Sequence, residues 1–181
     1  MEEKEIIKKR QSKANKEGEV KEEEVKRILL EDEIIKENFL IGKPSEVLKD
    51  KSDLYIPYNQ EKAMIDADIC VVRKRDNKLV CVISVKKSFR ERGGQTAYWA
   101  VKVKEYNKGY KYILTTPDVD KELFDPTKPE KKRKWRIILN YECDAVFIYS
   151  YEGKKYKENN FHVGKEYLKD YIKKLLKGSV H

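Results

Sequence analysis

The sequence has few of the residues on which several protein classes depend. Its 181 residues include three cysteines and two histidines. Cys70, Cys81 and Cys143 lie singly in apolar runs without C-x-x-C spacing, which argues against a zinc site or a disulfide framework. We expect the three thiols to be buried and reduced. His162 and His181 are too isolated in the sequence to predict a histidine metal site or a catalytic triad.

Long apolar runs and nucleotide-binding loops are also missing. No run approaches the roughly 18 apolar residues of a membrane span, and the charged start of the chain does not resemble a signal peptide. We therefore expect a cytoplasmic protein with no membrane partner. Neither a G-x-G-x-x-G pattern nor a Walker loop occurs, and Gly93-Gly94 fits the entry to a helix better than a phosphate cradle.

Charge, in contrast, is abundant and unevenly distributed. The net charge is +9, and charged residues make up 40% of the chain. Residues 1–50 carry 12 Lys and Arg against 14 Asp and Glu, whereas residues 51–181 carry 29 against 18. A positive field favours polyanions through steering and counterion release. The second region is therefore a candidate for nucleic-acid binding; a merely solvated Lys- and Glu-rich surface is the alternative.

The length predicts one domain over residues 1–181. Residues 1–17 fit a frayed helix or an arm, residues 18–58 an N-terminal helical region, and residues 59–181 the core. Apolar residues recur at helical spacing as far as Asn38. After them we expect turns, a short helix from Pro44 to Leu48 and an exposed aromatic segment at Tyr55–Tyr58.

The core alternates between strand and helix patterns. Apolar runs predict strands at 110–116 and 144–149 in addition to a hairpin before them, and periodicity predicts helices at 89–107 and 165–176. Residues 117–134 fit a loop, and residues 135–139 fit either a helix or a strand. This order predicts an α/β fold with a central mixed β-sheet and helices on both faces.

The hairpin at residues 68–86 is the most informative segment. Two apolar strands, 68–72 and 79–85, flank a polar turn centred on Asp76-Asn77. Alternate side chains of a strand share a face, so Ser84 and Lys86 are expected to point the same way, as are Asp66 and Asp68. Closing the hairpin brings Asp68 beside Ser84 and Lys86. A carboxylate there can hold Mg²⁺, and the neighbouring ammonium can assist hydrolysis of a phosphodiester.

The hairpin resembles the D…(D/E)xK signature of the PD-(D/E)XK, or restriction-endonuclease-like, nucleases. Asp68 is followed sixteen positions later by Ser84-Val85-Lys86, and Ala67 stands where that superfamily often has proline. Ser84 replaces the second acid. Restriction enzymes that cut around CCGG are similar in this respect, with S-x-K on the strand and the acid moved onto the next helix. The resemblance implies a restriction-endonuclease-like core, with Asp68, Ser84 and Lys86 in its catalytic site.

The missing acid has two candidate sources. Glu91 follows Lys86 at the expected start of the next helix, and this resemblance makes it both a catalytic and a metal-binding candidate. Alternatively, Gly18-x-x-x-Glu22-x-x-Val25 resembles the first-helix glutamate pattern of the superfamily. The implied Mg²⁺ ligands are therefore Asp68 with Glu91 or with Glu22, for which the neighbouring Glu23 is an alternative, and Asp66 shares the face of Asp68.

Two basic segments are candidates for DNA binding. The segment after Lys86 is similar to BsaWI-like type II restriction endonucleases, and its Gln95-x-x-Tyr98 resembles the Q-x-x-x-Y region of RecB-type nucleases. Arginine can pair with guanine and glutamate with cytosine, so its Arg-Glu-Arg cluster could read G·C pairs, contact phosphates or cap a helix. The second segment, beside Trp135, fits phosphate contact or a solvated loop. The candidates are Lys87, Ser88, Arg90, Arg92, Gln95, Lys131, Lys132, Arg133 and Lys134.

The resemblance implies a Mg²⁺-dependent, sequence-specific endonuclease of double-stranded DNA, that is, a type II restriction enzyme leaving 5′-phosphates. A homodimer is implied because one site cuts one strand and a palindromic target mirrors a two-fold axis. A structure-specific nuclease, such as a junction resolvase or a RecB/Cas4-like exonuclease, is one alternative. A non-catalytic DNA-binding module on the same fold, which Ser84 favours, is the other.

Overall fold

The computed structural model describes residues 2–89, 93–151 and 153–177, with side chains from Lys16 onwards. The helices of this part of the chain are α1 (Glu2–Leu30), α2 (Glu33–Asn38), α3 (Pro44–Val47), α4 (Gly93–Glu105), α5 (Lys134–Glu142) and α6 (Lys165–Lys174). The strands are β1 (Phe39–Gly42), β2 (Tyr55–Tyr58), β3 (Glu61–Met64), β4 (Ile69–Arg73), β5 (Lys78–Val85), β6 (Lys111–Thr116), β7 (Ala145–Ile148), β8 (Tyr156–Glu158) and β9 (Phe161–Val163). Short 3₁₀ turns lie at Ser52–Leu54 and Leu175–Lys177.

Seven strands form one mixed sheet in the order β1-β4-β5-β6-β7-β9-β8. Strands β1, β4 and β5 pair antiparallel, β5, β6, β7 and β9 run parallel, and β8 returns antiparallel to β9. Strands β2 and β3 form a separate hairpin. The predicted mixed sheet is thus confirmed, and its parallel part directs the carboxyl ends of β5, β6 and β7 to one edge.

Alternate side chains of the central strands enter two apolar cores. Cys70 and Val72 join the cluster that contains residues of α4 and α5. Ile69 and Val71 join the cluster that contains residues of α1, α2 and α6. Because successive strand residues face opposite sides, this division shows that the sheet has helices on both faces, as the sequence predicts.

The expectation of a helical region over residues 18–58 is wrong in two places. The chain leaves α1 after Leu30, and the Asp32 side chain accepts the backbone N–H groups of Ile34 and Ile35, which caps a new helix, α2. Phe39–Gly42 then forms strand β1. The Tyr55–Tyr58 segment forms strand β2, in which Ile56 is fully buried, the two tyrosines are half-buried and Pro57 is exposed.

Several other predictions are confirmed. The hairpin turns where expected, with Asn77 in the left-handed region at φ 51°, which asparagine tolerates better than most residues. Strands β6 and β7, helix α6 and the short helix at Pro44 lie where the pattern places them. Residues 134–142 form helix α5, so the helix is the correct one of the two alternatives for residues 135–139. The sequence pattern did not predict strands β8 and β9.

All three cysteines are buried and unpaired, as expected. Burial raises the pKa of the Cys70 and Cys143 thiols to about 12, so both remain protonated near neutral pH. Among the described residues, no helix has the length and apolar character needed to cross a bilayer.

His162 is a buried packing residue of β9. Its ring stacks on Phe147 with centroids 5.0 Å apart, and burial, with the charges of Lys157 and Lys174, lowers its pKa to about 4. The folded protein therefore resists protonating a histidine that the unfolded chain protonates near its ordinary pKa of 6.5. Its contribution to stability is present above that value and is lost as pH falls toward the folded pKa.

His162→Phe should remove this acid sensitivity while keeping an aromatic ring on Phe147. Between about pH 7 and about pH 5, the wild type should lose about 2 kcal/mol of unfolding free energy relative to the variant. Urea unfolding of both proteins at the two pH values measures the difference. A difference that does not change with pH would show that His162 is not protonated on unfolding.

Candidate active site

The structure brings Asp68 and Lys86 together at one end of the β4–β5 hairpin. The Lys86 ammonium lies 2.9 Å from Asp68 Oδ2, and the same oxygen accepts the backbone N–H of Val85 at 2.6 Å. The antiparallel register pairs Ile69 with Ile83. Asp68, the residue before Ile69, therefore lies beside the carboxyl end of β5. This contact depends on residues 18 positions apart, and it matches the contact expected from the sequence.

Asp66 supplies a second carboxylate to the same lysine. Its Oδ2 atom lies 2.8 Å from Lys86 Nζ, and its backbone carbonyl accepts the hydroxyl of the buried Tyr112 at 3.1 Å. Lys86 is only 5% exposed. Burial opposes its charge, but the charges of Asp68 and Asp66 outweigh that cost and raise its pKa. Lys86 is therefore an ammonium ion near neutral pH, aligned by two acids.

Glu22 approaches the site from helix α1. Burial raises the pKa of Glu22, and the negative charge of Asp68 raises it further, while Lys43 opposes the shift. Lys43 Nζ lies 3.6 Å from Glu22 and 3.2 Å from Glu19. Val25, one turn later on the same helix, is fully buried. Packing of the helix thus places Glu22 within electrostatic reach of Asp68, as the first-helix glutamate pattern suggests.

Ser84 occupies a different environment from its neighbours. It is fully buried and lies beside the buried Tyr112. The catalytic role expected for Ser84 stays a prediction. A serine in the position of the second acid therefore leaves that acid to be supplied by another segment.

The residues at this edge fit a hard divalent cation. No group of three His, Cys, Asp or Glu side chains able to hold a metal ion occurs within the described ranges. Mg²⁺, however, is commonly held by only one or two carboxylates, with water and substrate phosphate completing its coordination. Asp68 and Glu22 are candidates for two such carboxylates. Burial and the negative charge of Asp68 raise the pKa of Glu22, and a cation bound between them would relieve the repulsion.

The segment after Lys86 is partly described. Lys87 is exposed, and its ammonium lies 2.9 Å from Glu17 of helix α1. Gln95 is exposed near the start of α4. Phe89, between them, is fully buried. Three predicted residues, Arg90, Glu91 and Arg92, lie outside the described residues, so the structure leaves the Glu91 proposal and the Arg-Glu-Arg reading untested.

The second basic segment lies beside the first. Trp135 packs on Gly93 so closely that a Cβ atom there would come within 2.4 Å of the indole. Lys134 lies over the Trp135 ring, 5.5 Å from its centroid. Lys132 forms an ion pair with Glu158, and Lys131 is exposed while Arg133 is half-buried. The start of α5 therefore meets the start of α4.

Sequence reasoning missed two polar residues near these segments. Arg136 is buried, and its guanidinium donates to the Pro129 carbonyl, the Tyr156 hydroxyl and Glu158. Asp120 accepts the backbone N–H of Phe89. Tyr156 and Glu158 lie 20 and 22 residues from Arg136, and Phe89 lies 31 residues from Asp120, so no local signal identifies either residue.

A mixed sheet with an acid–lysine pair at its edge is the restriction-endonuclease-like fold. Comparison with solved structures agrees: the crystal structure of a pre-specific restriction endonuclease BsaWI–DNA complex matches with a TM-score of 0.63 and 10% sequence identity, over 98% of this chain and 68% of that one. The family model for BsaWI restriction endonuclease type 2 matches residues 33–170. The chain belongs to the BsaWI restriction endonuclease family.

Two curated relatives carry related names. The chain is 39% identical over 126 residues to the "Putative type II restriction enzyme MjaVIP" of Methanocaldococcus jannaschii, covering 67% of this chain and 55% of the relative. It is 30% identical over 82 residues to the "Probable type II restriction enzyme HpyAORF263P" of Helicobacter pylori, covering 44% of this chain and 42% of the relative. The chain thus spans about half the length of the curated relatives it matches.

Proposed function

We propose that this protein is a type II restriction endonuclease: a Mg²⁺-dependent, sequence-specific enzyme that hydrolyses double-stranded DNA and leaves 5′-phosphates. The observation that carries the proposal is the 2.9 Å contact between Asp68 and Lys86 at the end of β5. Membership of the BsaWI family and the names of the two relatives support the same activity.

In this proposal Asp68 and Glu22 hold the metal ion, with Asp66 as a further carboxylate at the same edge. A bound Mg²⁺ supplies Lewis acidity to the scissile phosphate and lowers the pKa of a bound water. Lys86 orients the attacking water and stabilises negative charge on the phosphate. Asp66 keeps Lys86 protonated and aligned, because its carboxylate lies 2.8 Å from the ammonium.

The two basic segments form the proposed DNA-binding surface. The contact between Gly93 and Trp135 joins the two segments, and the first segment begins directly after Lys86. Phosphate contacts fix the position of a protein on a duplex, whereas base contacts specify the sequence. We assign positioning to the second segment and sequence reading to the first. The proposed residues are Lys87, Ser88, Arg90, Arg92 and Gln95 in the first segment and Lys131, Lys132, Arg133 and Lys134 in the second.

The proposed assembly is a homodimer. One site of this kind hydrolyses one strand, so a double-strand break at a palindromic target needs two sites related by a two-fold axis. Sedimentation of the protein with and without target DNA tests this part of the proposal independently of cleavage.

Incubation of an unmethylated plasmid of known sequence with protein and Mg²⁺ tests the proposed activity. Discrete fragments are expected, and their run-off ends give the recognition site. Progressive shortening would instead indicate an exonuclease, and cutting only at junctions a structure-specific nuclease. An intact plasmid with salt-sensitive retardation in a gel would indicate the non-catalytic binding module, which the buried Ser84 favours.

The source of the second metal ligand can be tested by comparing Glu22→Gln with Glu91→Gln. Because Glu22 lies near Asp68, its substitution should raise the Mg²⁺ concentration for half-maximal cleavage by at least about tenfold. Removing a group that only supports a metal ligand already lowers metal affinity by about that factor. Glu23→Gln, an exposed neighbour on the same helix, is the matched control. A shift in Glu91→Gln alone would assign the ligand to Glu91.

A further inference from the structure

The loop at residues 117–125 has its own internal order. Thr116 Oγ1 accepts the backbone N–H of Asp118 at 2.8 Å. The Asp118 carboxylate accepts the N–H of Leu123 at 3.2 Å and of Phe124 at 2.9 Å, and both of those side chains are buried. Burial raises the pKa of Asp118 to about 6, against the effect of these hydrogen bonds. The loop is thus fixed at both ends to the sheet and its core.

This fixed loop holds the segment that follows Lys86. Asp120 Oδ2 accepts the backbone N–H of Phe89 at 2.9 Å, and the Val119 N–H donates to the Lys87 carbonyl at 3.4 Å. The first bond joins positions 31 residues apart. Residues 87–89 therefore have two hydrogen-bonded tethers to a rigid loop, in addition to the buried ring of Phe89.

We propose that Asp120 is a positioning residue for DNA recognition, which it controls by holding the backbone of residues 87–89 through the Phe89 amide. This inference rests on the proposed function, in which Lys87 and Ser88 contact DNA. A hydrogen bond to a charged acceptor is shorter and stronger than a neutral one, and a contacting segment on a fixed backbone loses less conformational freedom when DNA binds. Asp120 then affects binding and discrimination, while Lys86 and Asp68 control the chemical step.

The geometry distinguishes this role from simple support of the fold. Asp120 is half-buried and bonds to a backbone amide of another segment. The carboxylate of Asp125, in the same loop, accepts hydrogen bonds within its own turn, from the amide and hydroxyl of Thr127. The two aspartates share a loop and differ in whether they hold the segment next to Lys86, so Asp125→Ala is a matched control.

The test compares Asp120→Ala, Asp120→Asn and Asp125→Ala with the wild type on one plasmid. We expect Asp120→Ala to raise the DNA concentration for half-maximal single-turnover cleavage by about tenfold, the factor that accompanies loss of about 1.4 kcal/mol. Its rate at saturating DNA should stay within about twofold of wild type, and cuts outside the wild-type sites should increase. Asp120→Asn keeps an oxygen acceptor for the Phe89 amide but loses the charge, so it should restore a large part of the binding that Asp120→Ala loses.

Three results would overturn the inference: equal behaviour of Asp120→Ala and Asp125→Ala, a loss confined to the saturating rate, or failure of Asp120→Asn to restore binding. Urea unfolding confirms that each variant is folded at the assay temperature, and Asp120→Ser replaces Asp120→Ala should the latter not fold. A wild-type protein that neither cuts nor binds DNA would refute the proposed function itself. A wild type that cuts, with an unaffected Asp120→Ala variant, would refute only the role of Asp120.

Discussion

Asp68→Asn or Lys86→Met should lower the single-turnover cleavage rate by about a hundredfold to a thousandfold, comparable to the loss of one group that stabilises transition-state charge. Asp68→Asn keeps an oxygen that can accept the Val85 amide, and Asp66 remains as a partner of Lys86. The fold and DNA binding of Asp68→Asn should therefore persist. Lys86→Met leaves two carboxylates without their buried ammonium, so urea unfolding must show that this variant is folded under the assay conditions. Plasmid cleavage and gel retardation, measured on the same preparations, separate the two properties.

The opposite end of the sheet provides a matched control for this experiment. Asp144 accepts the backbone N–H of Tyr112 at 2.8 Å and pairs with Lys111 at 3.2 Å. The pair has the same chemistry as Asp68 and Lys86 but lies at the other end of β6. Asp144→Asn and Lys111→Met should leave cleavage within about twofold of wild type. Wild-type cleavage by Asp68→Asn or Lys86→Met would remove those residues from the catalytic site.

Arg136→Met should lower the free energy of unfolding by about 3–5 kcal/mol, the usual cost of removing one partner of a buried ion pair. The guanidinium is 1% exposed and lies between the rings of Tyr156 and Phe161, 5.0 and 4.5 Å from their centroids. The methionine cannot donate to the Pro129 carbonyl or to Glu158, so both acceptors lose a buried hydrogen bond. Urea unfolding measures the loss.

The exposed Arg75 is the control for that experiment, because Arg75→Met removes the same charge from the surface and should change stability by less than about 0.5 kcal/mol. A double variant of Arg136→Met with Glu158→Gln should lose less stability than the sum of the two single variants, because the two side chains are in direct contact. A loss below about 1 kcal/mol in Arg136→Met alone would show that the buried pair contributes little beyond its burial cost.

The sequence predicted the parts of the fold that depend on local pattern. The β4–β5 hairpin has two apolar strands and a polar turn, so the meeting of Asp68 with Lys86 follows from closing the hairpin. The register shift between Val71 and Val72 does not follow from the pattern. Strands β6 and β7 are continuous apolar runs, as expected for strands covered on both faces. Helix α6 was equally clear, because Leu168 and Ile172 repeat at helical spacing and are buried.

The parts that were missed depend on contacts between distant segments. Strand β1 is only four residues long, and its pairing with β4 defines it better than its composition does. Strands β8 and β9 are three residues each, too short for periodicity to show. The nearness of Glu22 to Asp68 depends on how α1 crosses the sheet, so the glutamate-rich helix alone could not decide which of its acids faces the site.

The proposed metal site depends on helix α1 staying packed on the sheet. Among the residues of this helix whose side chains the structure describes, the buried apolar ones are Val25, Ile28 and Leu29, and Glu22 lies one turn before them. Local unfolding of one element needs less free energy than unfolding of the whole domain. Detachment of this helix would withdraw one carboxylate and leave the sheet, Asp68 and Lys86 in place, so hydrolysis would stop well before the protein denatures.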